Sequence, residues 1–122
     1  MVGKFSGIIL GLACLGLSTA VIAAPVKKNV ESVFMEKSKL NGKQVIVRGK
    51  VVKVNIGIMK RNFLHIKDGS GKKGTDDLIV TSSQTAAVGD DITITGTVVL
   101  DTDFGFGYKY PLLVEKSTIK KH

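Results

Sequence analysis

The valines of VIVRGKVVKV, residues 45–54, change parity inside one extended run. Side chains alternate across a strand with period two, so Val45 and Val47 point one way and Val52 and Val54 the other. Burying all four requires one extra residue between the two pairs. The pattern therefore predicts a β-bulge near Gly49-Lys50 that bends the strand sharply and leaves Arg48, Lys53 and Asn55 outward. A second β-rich run, Asn62 to Asp68, follows a segment holding Gly57 and ends in the turn signal Asp68-Gly69-Ser70-Gly71. Leu64 and Ile66 face inward on it, so Phe63, His65 and Lys67 share the outer face. Two long antiparallel strands, one of them kinked, leave the remaining segments to close a barrel around them.

Those segments carry the matching signals. Val30, Val33 and Phe34 fall on one side of a short helix over Val30 to Lys37, with Asn29 as N-cap, suited to plug one end of the barrel. Gly42 turns the chain into the first strand. Lys72 to Asp77 reads as a solvated, mobile loop, Leu78 and Val80 as a short third strand, and Ser82 to Ala87 as a polar connection. After the Val88-Gly89-Asp90-Asp91 turn, Ile92, Ile94, Val98 and Leu100 alternate with polar residues and Val99, the clearest period-2 pattern in the chain. Gly96 marks a bend or a close backbone approach. A last strand spans about Tyr108 to Ile119, and the Lys120-Lys121-His122 tail is expected to fray.

A chain of 122 residues, 43% hydrophobic and 23% charged, builds one core. Its net charge of +8 favours anionic partners. Seven Lys or Arg and no Asp or Glu lie between Lys43 and Lys67, which concentrates that charge on the first two strands. The N-terminal segment is laid out as an export signal: Lys4, then an apolar run from Ile8 to Leu17, then small residues for cleavage after Ala23 or Ala24. It is too short and too rich in glycine for a comfortable membrane span, and lipidation at Cys14 is the weaker reading. The expected organisation is a signal peptide over residues 1–23 and one domain over residues 24–122, periplasmic or secreted, without a membrane span. Cys14 is the only cysteine, so the domain has no disulfide framework.

In order, VIVRGKVVKV, NFLHIKDGSG and VGDDITITGTVV resemble the first, second and fourth strands of OB-fold nucleic-acid-binding domains of the anticodon-binding type, over about residues 43 to 120. With an export signal, the chain also resembles the small periplasmic OB-fold proteins of bacteria, some linked to stress tolerance and some encoded beside respiratory cytochromes. The resemblance implies an all-β, five-stranded Greek-key OB-fold barrel with a short N-terminal helix after the signal peptide. It also implies that Phe63 occupies the position of a base-stacking aromatic. His65 stands where an acidic residue is common in those relatives.

Two surfaces are candidate sites. Arg48, Lys53, Lys60, Arg61, Phe63, His65 and Lys67 form an outward set in which cations would track phosphates and a ring would stack on a base. Against this stands a solvated lysine-rich face that only keeps the protein soluble. In DTDFGFGYKYP, Phe104, Phe106, Tyr108 and Tyr110 recur at every second residue, which in an extended chain sets four rings on one side. They suit a stacking or protein-docking platform, or else rings that fold back over the barrel mouth to complete the core. No cofactor or metal is implied: Asp101-Thr102-Asp103 lacks the downstream glutamate of a calcium loop, and His65 with Asp68 offers two ligands at best. No nucleophile, base and orienting group line up, and no carboxylate pair stands ready for acid–base work, so the chain reads as non-enzymatic. The expected partner is a single-stranded nucleic acid or another extended anion. The alternative is a protein-interaction accessory that docks through Phe104 to Tyr110 on a periplasmic respiratory, cytochrome or envelope stress-response partner.

Overall fold

The computed structural model describes residues 23–122, so the export-signal reading, with Lys4 and Cys14, lies outside the described residues. The described chain is mostly β. Its elements are β1 (Val26–Lys27), α1 (Val30–Met35), α2 (Lys37–Leu40), β2 (Gln44–Ile58), β3 (Arg61–Lys67), β4 (Leu78–Ser82), β5 (Asp91–Asp103) and β6 (Lys109–Lys121). They form one sheet in the order β1-β2-β3-β4-β6-β5, and a β2–β5 pairing closes it partly into a ring. Among the described residues no helix is long and apolar enough to cross a membrane.

β2 makes the ring possible because it serves two neighbours in succession. Residues Gln44 to Lys50 pair with β5, and Lys50 to Ile58 pair with β3. Val45, Val47 and Val51 are buried in the core. Between them Gly49 passes so close to β3 that a Cβ would lie 2.9 Å from the Lys67 carbonyl oxygen. The re-phasing expected near Gly49-Lys50 falls slightly later, where the β2–β3 register shifts between Val51 and Lys53. Val52 is thus the extra residue and is 39% exposed rather than inside, while Val54 packs against the core. The pairing explains the displacement: β2 keeps strict alternation while it lies against β5, and slips only once β3 is its partner.

The core gathers Leu64, Ile66, Leu78, Val80, Ile92, Ile94 and Val98 from the sheet, with Val30 and Val33 of α1. Asn29 caps α1 as expected, its Oδ1 accepting from the Ser32 amide at 2.8 Å. A second cap comes from the turn after β3, where Asp68 Oδ2 accepts from the Val30 amide at 2.8 Å and Ser70 Oγ from the Glu31 amide at 3.0 Å. At Gly96 a Cβ would collide with Ser117 Oγ, Val114 and the Glu115 carbonyl, so the expected close approach is present.

Two mobile segments expected from the sequence are in fact tied down. In the 72–77 loop, Asp77 and Asp76 reach back to His65 and Lys67. The C-terminal tail continues β6 to Lys121, and His122 donates its amide to the Asp91 carbonyl at 2.9 Å.

Candidate functional site

Phe63 projects from the outer face of β3, opposite Asn55 of β2 and Thr81 of β4, as its parity requires. The expected exposure does not follow. The ring is 2% exposed, because the β5–β6 hairpin folds over it. Tyr110 stacks on it at 5.3 Å between centroids, Phe104 meets it edge-on at 6.0 Å, and Phe104 and Tyr110 touch each other at 5.9 Å. The Arg61 guanidinium sits 4.8 Å above the Phe104 ring. Leu113, fully buried yet outside the main core cluster, has the same outward parity on β6. Phe63 therefore belongs to a second small core outside the ring, and a base cannot stack on it.

The hairpin also divides the four aromatics that the sequence placed on one side. Alternation stops at a tight turn, in which the Phe104 amide donates to the Tyr108 carbonyl at 2.8 Å and the Tyr108 amide to the Gly105 carbonyl at 2.9 Å. Gly105, Phe106 and Gly107 all take positive φ there, which glycine supplies without strain. Phe104 and Tyr110 turn inward to Phe63. Phe106 is left 99% exposed at the tip, with Tyr108 at 41%. Asp103, read as part of a calcium-loop fragment, accepts from the Gly105 amide at 2.8 Å and so shapes this turn.

The cationic set is brought onto the outer surface, but its charge is largely answered by carboxylates from other elements. Arg48 forms a two-bond pair with Asp91 of β5, at 3.1 Å through Nε and 2.8 Å through Nη2. That hydrogen-bonded guanidinium holds the Asp91 carboxyl below the usual carboxylate range and raises Arg48 in return. Arg61 lies 3.7 Å from Glu115, His65 Nδ1 3.0 Å from Asp77, and Lys67 3.5 Å from Asp76. The exposed pairs, Arg48–Asp91 and Lys67–Asp76, add little stability, about 0–1 kcal/mol, but they do lower the local positive potential. Among the described residues Lys53 and Lys60 have no such partner within ion-pair distance, and Lys50, absent from the expected set, is exposed on β2 opposite Lys67 and Asp91.

An open groove of about 590 Å³ runs beside this surface between Arg48, Lys50 and Val52 of β2 and Lys67 and Gly69 at the end of β3. A second, apolar depression of about 450 Å³ lies between Val54 and Ile56 of β2 and Ala86 and Val88 of the β4–β5 connection. The apolar one was not foreseen, although the spacing of Val54 and Ile56 carried the signal.

No protein-family model matches the chain, and no curated protein matches it. Solved structures do. A putative aspartyl-tRNA synthetase from Leishmania major Friedlin is similar over 86% of this chain at 13% identity, with a TM-score of 0.57. The chain spans only 22% of that protein's length. An OBody bound to hen egg-white lysozyme is similar over 68% of this chain and 84% of its own, at 17% identity and a TM-score of 0.50. These likenesses are of fold.

Proposed function

We propose that this chain is an exported, non-enzymatic module with a five-stranded Greek-key OB-fold, β2-β3-β4-β6-β5, and that it binds single-stranded nucleic acid or a comparable extended anion. The observation that carries the proposal is a surface that offers both cations without a carboxylate within ion-pair distance among the described residues, Lys53 and Lys60, and a hairpin tip that presents Phe106 and Tyr108 to solvent. The net charge of +8 and the fold shared with a tRNA synthetase support the same partner class. Stacking, expected at Phe63, moves in this reading to Phe106 and Tyr108. Cations that hold a backbone and rings that take bases are the two parts that single-strand binding needs.

The test is a titration of labelled oligonucleotide at two salt concentrations. Three phosphate contacts give a slope of about −2 in log K against log salt, so binding weakens roughly twentyfold between about 50 and about 200 mM. Phe106→Ala and Tyr108→Ala each weaken it by about fivefold or more. Binding that ignores salt, or survives both ring deletions, refutes the reading.

A second reading is favoured by Phe106, an almost fully exposed phenyl ring on a hairpin tip: the tip docks on a protein partner of the envelope. The OBody bound to lysozyme supports it, as a protein of similar fold that holds a protein. Absence of oligonucleotide binding at low salt, together with loss of a native envelope partner in Phe106→Ala, would decide for docking.

A further inference from the structure

β4 and β6 close the ring at a single paired position, Val80 with Val114, and then part. Side chains bridge the opening. Ser82 Oγ donates to the Ser117 carbonyl at 2.5 Å, the Lys116 amide to Thr81 Oγ1 at 3.2 Å, and the Ile119 amide to Gln84 Oε1 at 2.9 Å. Along this seam lies a pocket of about 310 Å³, within the size range of small-ligand sites. Lys60 and Arg61 enter it from the β2–β3 turn, Ser83 and Gln84 from the exit of β4, and Lys116 and Thr118 from β6.

Every charged side chain that lines it is a cation. The nearest carboxylate, Glu115, is committed to Arg61 at 3.7 Å and to the Thr81 hydroxyl at 2.5 Å. Neither Lys60 nor Lys116 has a carboxylate within ion-pair distance among the described residues. Backbone conformation adds an independent observation. Lys60 and Lys116 have φ of 64° and 53°, a left-handed region that glycine occupies freely and a lysine does not. One sits in a two-residue hairpin turn and the other opposite the β5 register shift at Thr95/Thr97. Two separate irregularities thus bring a lysine to the lining of the same pocket, and residues held in sparsely populated backbone regions cluster at binding sites.

We propose that the β4–β6 seam is a binding site for a phosphate monoester dianion. Lys60 and Lys116 supply point charges, the free edge of the Arg61 guanidinium supplies paired N–H donors, and Ser83, Thr118 and the Gln84 amide complete the set. The site shares Lys60 with the surface proposed for oligonucleotide, but Ser83, Gln84, Lys116 and Thr118 lie outside that surface, so the two can be tested apart.

The experiment is a ¹H–¹⁵N titration of the protein with inorganic phosphate, ionic strength held constant with chloride. Saturable shifts are expected at the amides of Arg61, Gln84 and Lys116. The double variant Lys60→Gly/Lys116→Gly removes both ammoniums while suiting the left-handed backbone. It should keep a native spectrum and bind phosphate at least about a hundredfold more weakly, from about tenfold per lysine. Lys50→Ala/Lys53→Ala should leave phosphate affinity unchanged. Shifts equally produced by chloride, or a glycine variant that binds as the parent does, would overturn the site. Preference for a 5′-phosphorylated over a 5′-hydroxyl oligonucleotide would make a nucleic-acid end the source. Equal binding of the two, with phosphate shifts retained, would assign a small phosphorylated molecule instead. If neither oligonucleotide binds while phosphate does, the nucleic-acid reading fails and the seam site stands.

Discussion

Replacing Phe63 by alanine separates a structural ring from a binding plate, because the two roles predict opposite results. The ring is 2% exposed and held by Tyr110 at 5.3 Å and Phe104 at 6.0 Å. Phenylalanine-to-alanine changes at such sites cost about 3–5 kcal/mol in lost burial and residual cavity. Two aromatic partners place this one near the middle of that range or above, about 4 kcal/mol. Against a total stability of about 5–15 kcal/mol, that is a large fraction. For a domain of this size it lowers the melting temperature by about 15 °C or more. Urea denaturation monitored by circular dichroism reads the loss, and Phe63→Leu, which keeps most of the apolar volume, should recover over half of it. If Phe63→Ala instead melts within about 1 kcal/mol of the parent while oligonucleotide binding falls by the amount a lost stacking plate would cost, the ring is reachable and the second core does not exist.

Two further substitutions test what positions the sites. Gly96→Ala drives a Cβ against Val114 Cγ1 at 2.8 Å and the Glu115 carbonyl at 2.9 Å, and should cost about 1–3 kcal/mol by thermal melting; a neutral result would mean that the β5–β6 register shift relaxes freely. Asp68 is pushed up by partial burial, but hydrogen bonds from the Ser70 hydroxyl and from the Val30 and Ser70 amides outweigh this and hold its carboxyl below the ordinary range. The depressed value means that its contribution is fully present above about pH 5 and is lost as pH falls through about 3.9 toward the folded-state value. Asp68→Asn should cost about 0.5–1 kcal/mol at neutral pH, an amount reduced by solvent screening, and flatten the stability profile between about pH 5 and 3. An unchanged profile would show that the second helix cap carries no charge-dependent weight.

The features legible in the sequence are those with local causes. Asn29 precedes an apolar helical face and caps it, and Ile92 to Leu100 alternate along a strand flanked on both sides by partners. Gly96 stands in that strand because another backbone comes near. The parity of Phe63, His65 and Lys67 was equally readable, since it is a property of the strand alone. What covers that face was not. Phe104 and Tyr110 lie more than forty positions away in sequence, and no period in DTDFGFGYKYP distinguishes rings that fold back from rings that stay out until the turn at 105–107 is in place. The bulge was displaced for a similar reason: its position depends on where β2 exchanges one partner strand for another.

Charge shows the same limit most sharply, and from it follows where binding capacity remains. The acid-free interval from Lys43 to Lys67 implied a positive face, yet Asp91, Asp76, Asp77 and Glu115 return to four of its basic residues from segments outside that interval. Three of those four, Arg48, His65 and Lys67, occupy regular ladder positions, but only Arg48 is answered from a neighbouring strand, by Asp91 of β5, while Asp77 and Asp76 reach His65 and Lys67 from the loop before β4. Three cations on which the binding proposals rest, Lys53, Lys60 and Lys116, sit at or beside a break in the ladder, whereas Lys50 stands in regular register with Lys67 and Asp91. Lys53 follows the register shift at Val52, Lys60 is in the hairpin turn, and Lys116 faces the shift at Thr95/Thr97. No strand-borne carboxylate stands opposite any of them: Lys53 faces His65, Lys60 is in the turn, and Lys116 lies across from Gly96. On this argument, supplying a carboxylate where these lysines have none should remove function without removing a lysine: Thr118→Asp puts one at the pocket that Lys60 and Lys116 line, and phosphate titration should show weaker binding although every lysine remains.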